Sequence, residues 1–595
     1  MEKNVVILDI DYVTYENKPV IRLFSKDKDK NIVLLDDTFE PYLYVAPKDN
    51  VKKCQEQILD TLEGVHIEEV IKKDFQVEKT FLKVTFLNPQ ELAKNRDALR
   101  DLDSVDHIRE HDIPFYRRYL IDRDVIPMTE VKACGEKIDS FLNLDSKKHD
   151  LEIIKLTKPL ERVNDDLQDF RILSFDLEVR NPHGMPNSEV DEIIMIGVAS
   201  NFGINQVIST KTNSEDRDDF VNQVESEKEM IETFIDIVKK SNVDIIVGYN
   251  SDNFDLPYIK DRAKLYGLEL DLGMDDSNIK FIRRGFANAA SFKGLIHVDL
   301  YLVMRRYMTL ERYTLERVYY ELFGEEKIDV PGEHIWEYWD SDSTELDDLF
   351  DYSLDDVVST LKIAQQTLPL NLELTRIVGQ PLFDLSRMAT GQQAEWFLVK
   401  EAYFDNEIVP NKPGGSNFAL RAAEEDNEGG YVKEPEIGLH ENLVQFDFRS
   451  LYPSIIISKN ISPDVLVIGD VENRQDYNIS PEHDLKFKKE PKGFIPSVIA
   501  KILNERFKIK KAMKASVDPT EKKTLDVQQQ AIKRLANTMY GIYGFPRFRW
   551  YSYECAKAIT SWGRQYIKRA MKKAEDYGFY AIYADTDGFY AKYKK

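Results

Sequence analysis

Three apolar runs between residues 170 and 250 constrain the fold of this chain most strongly. They read "FRILSFDLEV" at 170–179, "IIMIGVAS" at 193–200 and "VDIIVGYN" at 243–250. Apolar runs without alternating polar residues are typical of strands that are buried on both faces of a sheet. Because helical stretches separate the runs, the sequence predicts a layered α/β domain in this part of the chain.

The rest of the chain predicts further domains, about three to five in all for 595 residues. Residues 1–150 alternate short strand runs with charged helical stretches, which predicts a mixed α/β domain. The polar residues near 135–168 predict a linker. Apolar spacing predicts a helix over 345–366, and two long helices over 497–515 and 520–540 that the breaker "SVDP" separates.

Composition excludes several protein classes. Hydrophobic residues make up 42% and aromatic residues 11% of the chain, which supports sizeable cores. No apolar run reaches the length of a membrane span, and the N-terminus lacks a signal-peptide layout. Cys54, Cys134 and Cys555 are widely spaced and odd in number, so we expect a reduced, cytoplasmic protein without a disulfide framework.

Charge is distributed unevenly along the chain. The net charge is −24, which taken alone argues against binding to nucleic acid. Residues 501–550, however, contain twelve Lys and Arg against four Asp and Glu, a local net charge of +8. Such a stretch is typical of a solvated helix face as well as of a phosphate-binding surface, and composition leaves both interpretations open.

One set of carboxylates falls in the predicted α/β domain. Asp176 and Glu178 are two residues apart on a predicted strand, so both face the same way. Asp255 follows a buried strand, and Asp356 lies one helical turn after Tyr352. Four converging carboxylates fit hard cations such as Mg²⁺ or Mn²⁺, which assist phosphodiester hydrolysis. Any one of these acids alone is more typical of an ordinary surface or capping carboxylate.

A second set lies near the end of the sequence. Asp447 ends the strand run "LVQFD", and Asp585 and Asp587 flank Thr586 in "YADTDG". The Asp-Gly pair also predicts a plain polar hairpin turn. Tyr452 lies in the proline-containing turn "SLYPS" just after Asp447.

The basic stretch places polar side chains on shared helix faces. Lys533, Asn537 and Tyr540 follow helical spacing, and so do Arg506 and Lys510 on the preceding helix. Two antiparallel helices that present three of these cations toward a metal-bearing carboxylate cluster would form a polyphosphate clamp.

With these residues in view, the sequence resembles archaeal family B DNA polymerases, and in particular the large subunit of the split, two-polypeptide form of some methanogenic archaea. Six motifs occur in family order over nearly the whole chain: "FDLE", "YNSDNFD", "YSLDD", "DFRSLYPSII", "KRLANTMYG" and "YADTDG". A single such motif is weak evidence, whereas six in order are specific.

The resemblance implies a multidomain α/β and α+β chain with an incomplete palm and no thumb. The implied parts are an N-terminal domain of template uracil-sensing type at 1–155, with 368–410 packing back on it; a ribonuclease H-like 3′–5′ exonuclease at 160–367; a palm at 411–492 and 546–595; and helical fingers at 493–545. The implied activity is template-directed DNA synthesis in DNA replication, with 3′–5′ proofreading.

The resemblance also implies roles for individual residues. The exonuclease would use Asp176, Glu178, Asp255 and Asp356 as metal ligands, with Tyr352 placing the attacking water. The polymerase would hold two Mg²⁺ ions, or Mn²⁺, through Asp447, Asp585 and the backbone of Phe448, with Asp587 supporting the turn. The dNTP would contact Ser450, Leu451, Tyr452, Arg506, Lys510, Lys533, Asn537 and Tyr540, and Tyr452 would exclude a 2′-hydroxyl.

A template-uracil pocket is implied in the N-terminal domain, most strongly by "EHDIPFYRRYLIDR". Its implied residues are Tyr12, Pro41, Leu92, Ile113, Pro114, Phe115, Arg118 and Tyr119. The alternative is a packed domain edge.

Two departures from the family pattern affect the implied function. Asn427 replaces the Tyr of a Tyr-x-Gly-Gly loop, which puts the balance of editing in doubt.

The sequence also stops shortly after Gly588, so we expect a small second polypeptide to supply the rest of the palm and the thumb, and a sliding clamp to bind that missing part. Primer–template DNA and dNTPs complete the expected partners, and no membrane is expected. The alternatives are a truncated polymerase, a stand-alone 3′–5′ exonuclease with a vestigial palm, and a non-catalytic DNA-binding or uracil-sensing scaffold.

Overall fold

The chain is described here from a computed structural model. The described residues are 1–28, 30–164, 166, 168–212, 220–284, 287–328, 330–341, 344–424 and 428–593. Asn427, which the sequence places in the Tyr-x-Gly-Gly position, lies outside them.

Strands and helices alternate along most of the described chain. The strands are β1 Glu2–Tyr15, β2 Lys18–Asp27, β3 Lys30–Asp36, β4 Tyr42–Pro47, β5 His66–Asp74, β6 Val77–Thr85, β7 Val105–Arg109, β8 Glu130–Ile138, β9 Ser140–Phe141, β10 Leu144–Asp145, β11 Leu151–Leu156, β12 Glu161–Arg162, β13 Ile172–Val179, β14 Ile193–Ser200, β15 Asn205–Ser209, β16 Val221–Gln223, β17 Ile245–Gly248, β18 Lys280–Arg284, β19 Ala287–Ser291, β20 Ile296–Asp299, β21 Val432–Lys433, β22 Leu443–Asp447, β23 Leu466–Val467, β24 Tyr477–Ile479, β25 Lys486–Lys488, β26 Phe579–Asp585 and β27 Gly588–Tyr593. The α-helices are α1 Val51–Thr61, α2 Pro89–Arg100, α3 Phe115–Asp122, α4 Glu227–Lys240, α5 Asp255–Leu265, α6 Leu300–Tyr307, α7 Leu315–Phe323, α8 Ile335–Asp340, α9 Thr344–Val378, α10 Leu382–Leu385, α11 Thr390–Phe404, α12 Gly415–Ala422, α13 Leu451–Lys459, α14 Phe494–Ala515, α15 Pro519–Tyr543 and α16 Tyr553–Asp576.

These elements form two compact units, each built from two stretches of sequence. The first unit comprises Met1–Phe39 and Tyr116–Ala389, and the second comprises Glu40–Phe115 and Thr390–Lys595. None of the helices among the described residues is both long and apolar enough to cross a lipid bilayer.

The first unit contains a ring of strands near its N-terminus. Strands β1, β2, β3, β11 and β8 pair in that order, and β8 also pairs with β1. Buried apolar side chains of these strands, such as Phe24, Val33 and Ile153, pack together in one hydrophobic cluster. The predicted linker near 135–168 is therefore wrong in part, because Leu151–Leu156 is a largely buried strand of this ring, in parallel register with β3. The prediction used the average polarity of residues 135–168, and that average hides the short apolar run of this strand.

The predicted α/β domain is the other part of the first unit. Its sheet has the strand order β16-β15-β14-β13-β17-β20, with β13 parallel to β17 and antiparallel to β14. Helices α4 and α5 pack on one face through residues such as Phe234 and Ile259. Helices α6, α7 and α9 pack on the other through Val303, Val318 and Leu361. All three apolar runs are buried strands, as predicted.

The helix predicted over 345–366 is longer in the structure. It begins at Thr344 and continues through Pro369 to Val378. A proline inside a helix removes one backbone hydrogen bond. The buried residues Leu368 and Leu372 flank it and pack into the same core, which offsets that loss.

The second unit contains two larger sheets. The sheet β5-β6-β4-β7 packs against α1 and α2 through residues such as Ile58 and Leu99. The sheet β21-β26-β27-β22 includes the predicted hairpin and packs against α16 through Ile567 and Phe589. Helices α14 and α15 occupy the predicted positions and pack against each other.

Candidate catalytic sites

Three of the four carboxylates predicted in the α/β domain converge. Asp176 and Glu178 project from the central strand β13, and Asp356 reaches them from α9. Ligand oxygens of the three residues lie within 4.8 Å of one another. Asp255, the first residue of α5, is 2% exposed and close enough to Asp176 for its charge to raise the pKa of that carboxyl.

A close approach between α9 and the sheet brings Asp356 to the strand. The side chain of Ser174 on β13 donates a hydrogen bond to the carbonyl of Val357, 2.7 Å away. Gly197 on the neighbouring strand leaves room for the helix. A Cβ atom there would lie 2.9 Å from Cγ1 of Val357 and 3.0 Å from the carbonyl of Ser353.

Burial and mutual repulsion make these carboxyls hard to ionise in the absence of a cation. Burial raises the pKa of Asp176 and of Glu178 well above the ordinary carboxyl range, and neighbouring carboxylates raise both further. Burial likewise raises the pKa of Asp255 to about 7 and that of Asp356 to about 6. One oxygen of Glu178, Oε1, is buried without a hydrogen-bond partner. This donor set of hard oxygens, with an unsatisfied oxygen among them, fits a divalent cation.

Lys327 is part of this site, although the sequence did not indicate it. Its side chain is fully buried and pairs with Asp356, and its Nζ lies 3.6 Å from an oxygen of Asp355. The same Nζ lies 4.8 Å from the ring centroid of Tyr352. Burial lowers the pKa of Lys327, but the two carboxylates outweigh that effect and raise it. A lone lysine in "GEEKIDV" has no spacing that would have revealed it.

Tyr352 lies where the sequence predicts, on α9 one turn before Asp356. Burial raises the pKa of its hydroxyl, as do the charges of Glu178 and Asp356. A hydrogen bond from Tyr352 favours the ionised form of Asp356. The phenol is therefore a neutral donor beside the cluster.

A buried network fixes the turn that leads into Asp255. Both oxygens of Asp252 accept hydrogen bonds from the Arg387 guanidinium at 3.0 Å. Asp299 accepts from the backbone N–H groups of Asn250 and Asp252 at 2.9 and 3.2 Å. His297 is completely buried between Asp252 and Arg387. These hydrogen bonds hold the segment in place, and no local sequence pattern indicates that the groups pair.

The second set of carboxylates surrounds the terminal hairpin. Asp447 at the end of β22 lies opposite Gly588, and Asp585 at the end of β26 pairs with the same glycine across the turn. Thr586 has a positive φ of 54°, which is strained for a β-branched residue. Its N–H donates to the carbonyl of Tyr431 at 2.9 Å, which holds the strained turn. Such strain is typical of functional turns.

The hairpin carboxylates are more open than the first set. Asp447 and Asp585 are exposed, and burial followed by the charge of Asp447 raises the pKa of Asp587. Among the described residues, Asp176, Glu178 and Asp356 are the only set of three whose ligand atoms lie within 4.8 Å of one another. The hairpin acids therefore share one end of a sheet without converging as closely.

The helix after Asp447 places the predicted nucleotide-binding residues Ser450, Leu451 and Tyr452. Helix α13 starts at Leu451, after Ser450, which has a positive φ of 50°. The rings of Tyr452 and Tyr540 lie 4.3 Å apart between centroids, so two predicted contacts of the nucleotide touch each other. Burial, with Tyr540 beside it, raises the pKa of Tyr452 to about 12.

The residues predicted to form a phosphate clamp line one cavity between α14 and α15. Arg506, Lys510, Lys533 and Asn537 all line this cavity, whose volume is about 570 Å³. Within the described part of the chain, none of the three cations forms an ion pair with an acidic side chain. Arg506 instead donates to the carbonyl and side-chain oxygens of Gln529 at 3.0–3.2 Å. Burial, and then repulsion from the neighbouring cations, lowers the pKa of Lys510. The cavity is thus a cationic site suited to a polyanion.

The residues predicted for the uracil pocket are divided between the two units. Tyr12, Arg118 and Tyr119 belong to the first unit, and Pro41, Leu92, Ile113, Pro114 and Phe115 belong to the second. Tyr119 is fully buried and donates a hydrogen bond to Asp36 at 3.0 Å. Leu92 packs against the core of the sheet that contains β4. The pocket stays a prediction.

The chain is similar to known DNA polymerases over most of its length. Two family models match the chain, "DNA polymerase family B" over residues 386–594 and "DNA polymerase family B, exonuclease domain" over residues 106–318. A DNA polymerase of Thermococcus gorgonarius is 41% identical over 593 residues, which are 98% of this chain and 71% of the relative. A DNA polymerase of Desulfurococcus sp. (strain Tok) is 40% identical over the same shares. The structure of the family B DNA polymerase from Pyrobaculum calidifontis superposes with a TM-score of 0.85 at 29% identity, and the match covers 100% of this chain and 75% of that one.

Proposed function

This chain belongs to DNA polymerase family B and contains the exonuclease domain of that family, and from this premise we propose a mechanism with two separate metal-dependent sites. One site adds deoxynucleotides to a primer 3′-hydroxyl on a DNA template. The other removes nucleotides from the 3′ end. The observation that carries the proposal is the convergence of Asp176, Glu178 and Asp356 in one site, with Asp447 and Asp585 at the tip of a different sheet.

We assign the exonuclease to residues 160–367, with Asp176, Glu178, Asp255 and Asp356 as the ligands of two Mg²⁺ ions. Bound ions would activate a water molecule and stabilise the leaving 3′-oxygen. Lys327 keeps Asp356 ionised, and the neutral Tyr352 phenol, which donates its proton to Asp356, would accept a hydrogen bond from the attacking water and so place it. Because Glu178, Asp255 and Asp356 are buried, bulk water has little access to these proposed metal ligands.

We assign the polymerase site to the palm, residues 411–492 and 546–595, and to the fingers, residues 493–545. Asp447, the backbone carbonyl of Phe448 and Asp585 would hold the ions, and Asp587 supports the turn. Support comes from their common position at one end of the hairpin sheet. The strained turn at Thr586 fixes the two aspartates relative to each other.

We assign the dNTP to the cavity between α14 and α15 and the start of α13. Arg506, Lys510 and Lys533 would neutralise the triphosphate, because all three cations line the same cavity and, in the described part of the chain, none forms an ion pair with an acid. Ser450 and Leu451 would contact the phosphates through the backbone. Asn537 and Tyr540 would line the nascent base pair. The Tyr452 ring, held in contact with Tyr540, would lie beneath the sugar of the nucleotide.

The test uses a labelled primer on a DNA template. With Mg²⁺ alone, the chain is expected to shorten the primer, and with dNTPs present it is expected to extend it. Asp255→Ala is expected to abolish shortening and leave extension intact. Asp255 belongs to the first unit, whereas the proposed polymerase ligands Asp447 and Asp585 belong to the second. Extension without any shortening by the unmodified chain would contradict the editing role. Equal loss of both activities in a folded Asp255→Ala protein would contradict two separate sites.

We also propose, as the sequence predicts, that a second polypeptide packs against the hairpin sheet of the palm. It is supported by an apolar cavity of about 420 Å³ on the hairpin sheet, lined by Phe446, Phe448, Phe579 and Phe589 among others. On the same sheet, Leu443 and Val444 are 40% and 39% exposed. Robust, processive synthesis by this chain alone would contradict the prediction. Conversion of the chain's own limited extension into processive synthesis by a small co-purifying chain would support it, and a binding site for the predicted sliding clamp would then be sought on that chain.

A further inference from the structure

Phe507 is an exposed aromatic residue on a strongly basic helix. It lies on α14 directly after Arg506, and it is 51% exposed. The guanidinium carbon of Arg449 lies 5.1 Å from its ring centroid, in cation–π contact. Within the described residues, Arg449 forms no ion pair with an acid. The aromatic ring therefore orients a cation that is otherwise exposed.

Arg449 borders a second cavity that adjoins the triphosphate cavity. This cavity has a volume of about 360 Å³ and is lined by Arg449, Ser450, Asn504, Arg506 and Phe507 among others. Arg506 lines both cavities. A phosphate chain held by Arg506 in one cavity is thus within reach of the cation in the other.

The charges of the two cavities repel one another. The pKa of Arg506 is lowered by burial and then by Arg449, and Arg449 also contributes to the lowered pKa of Lys510. Like charges gathered without acidic partners raise the energy of the free protein. A polyanion that spans both cavities relieves this repulsion.

We propose that Arg449 is a fourth phosphate-binding cation, which holds the β- and γ-phosphates of the nucleotide and the pyrophosphate that leaves, and that Phe507 is its positioning residue. The proposal rests on the assignment of the adjoining cavity to the dNTP. In the transfer step, the primer 3′-oxygen bonds to the α-phosphorus and its proton passes to solvent. The bond from the α-phosphorus to the bridging oxygen breaks, and its electron pair leaves with the pyrophosphate. Arg449 and Arg506 neutralise that added charge.

The test is calorimetric titration of the full chain with inorganic pyrophosphate and, separately, with dTTP, in Mg²⁺ and without DNA. Arg449→Ala is expected to raise the dissociation constant for pyrophosphate about tenfold or more, since hydrogen bonds to charged groups contribute strongly. Arg449→Lys is expected to lose less, because it keeps the charge. The matched control is Lys508→Ala, which removes a highly exposed cation from the same helix turn but lines neither cavity.

Each outcome of this titration decides the proposal. A loss of affinity for both ligands supports the proposal, because it shows that Arg449 binds the phosphates before and after bond cleavage. A loss for pyrophosphate alone overturns the contact with the β- and γ-phosphates of the nucleotide. The proposal is overturned by unchanged affinity for pyrophosphate in Arg449→Ala, by a loss for dTTP alone, or by an equal loss in Lys508→Ala.

The role of Phe507 has its own test in the same assay. Phe507→Leu keeps an apolar side chain but removes the ring, and it is expected to weaken pyrophosphate binding about two- to fivefold. Phe507→Trp is expected to restore it, because tryptophan is the strongest cation–π partner. Wild-type affinity in Phe507→Leu would overturn the positioning role.

Lys510→Ala separates this inference from the proposed function. If Lys510→Ala weakens dTTP binding and Arg449→Ala weakens neither ligand, the inference fails while the triphosphate site stands. If Lys510→Ala has no effect on dTTP, the assignment of the triphosphate site itself fails.

Discussion

The two candidate sites of this chain use acidic residues in opposite ways. In the exonuclease site, Glu178, Asp255 and Asp356 are 3%, 2% and 6% exposed, and strand β13 and two helices fix them. In the polymerase site, Asp447 and Asp585 are exposed at a hairpin tip. The first site is assembled and electrostatically strained before a cation arrives, and the second leaves its ligands open. We infer that the exonuclease site holds its ligands in place before metal binds, whereas the polymerase site is completed only when metal, nucleotide and primer bind together.

The largest expected effect separates the two sites by activity. Glu178→Gln is expected to reduce 3′–5′ degradation about a thousandfold and leave extension unchanged, because it removes a carboxylate worth several kcal/mol to the reacting metal centre. Asp585→Asn is expected to do the reverse. Both rates are measured on the same labelled primer–template. If either substitution lowered both rates to a similar extent in a folded protein, the sites would not be independent.

The next effect concerns stability in the absence of metal. Lys327→Met is expected to lower the free energy of unfolding by about 3 kcal/mol in EDTA, because it leaves the buried Asp356 without its partner. Lys533→Met, at an exposed position of α15, is expected to change it by less than about 0.5 kcal/mol. Urea denaturation followed by tryptophan fluorescence gives both values. Equal effects would remove the contrast between the two sites.

The pH dependence of stability sharpens the same contrast. The pKa of Asp255 is about 7 in the folded chain against an ordinary 3.8. Between these two pH values the folded state keeps a proton on Asp255 that the unfolded state has released. The contribution of Asp255 to the free energy of unfolding therefore falls as the pH rises. The free energy of unfolding of Asp255→Asn in EDTA is therefore expected to exceed that of wild type by an amount that grows with pH from about pH 4 and reaches about 2 kcal/mol near pH 5.5. Saturating Mg²⁺ should remove the gain, and a gain that shrinks as the pH rises would contradict the assignment.

The smallest expected effect tests the close approach that forms the buried site. Gly197→Ala is expected to push α9 from the sheet, to destabilise the chain by about 1–2 kcal/mol and to slow degradation. Extension should not change. Gly415→Ala, where a Cβ atom meets nothing within 4 Å, is the matched control. Thermal unfolding and the degradation assay check both variants, and indistinguishable results for the two would contradict the packing argument.

The sequence predicted the strands and carboxylates better than their partners. The apolar runs predicted β13, β14 and β17, because runs of this kind are typical of strands that helices cover on both faces of a sheet. The shared face of Asp176 and Glu178 followed from strand geometry alone. The spacing of Arg506, Lys510, Lys533 and Asn537 likewise predicted four residues that line one cavity.

What the sequence missed depends on contacts between distant segments. Lys327 and Arg387 each pair with an aspartate far away in the chain, and no local pattern marks such a pair. The predicted helix stops at residue 366, whereas α9 continues through Pro369 to Val378 because its last turns pack into the core. Arg449 and Phe507 lie 58 positions apart, and only the structure brings them together.

Binding of Mn²⁺ in the absence of DNA tests most directly whether one site is preassembled and the other is not. Free Mn²⁺ is measured by electron paramagnetic resonance in titrations of the wild type, Glu178→Gln and Asp585→Asn. We expect Mn²⁺ to bind without nucleotide and Glu178→Gln to remove this binding. We also expect dTTP to add further binding, which Asp585→Asn removes. Nucleotide-free binding that survives Glu178→Gln and is lost in Asp585→Asn would contradict these expectations.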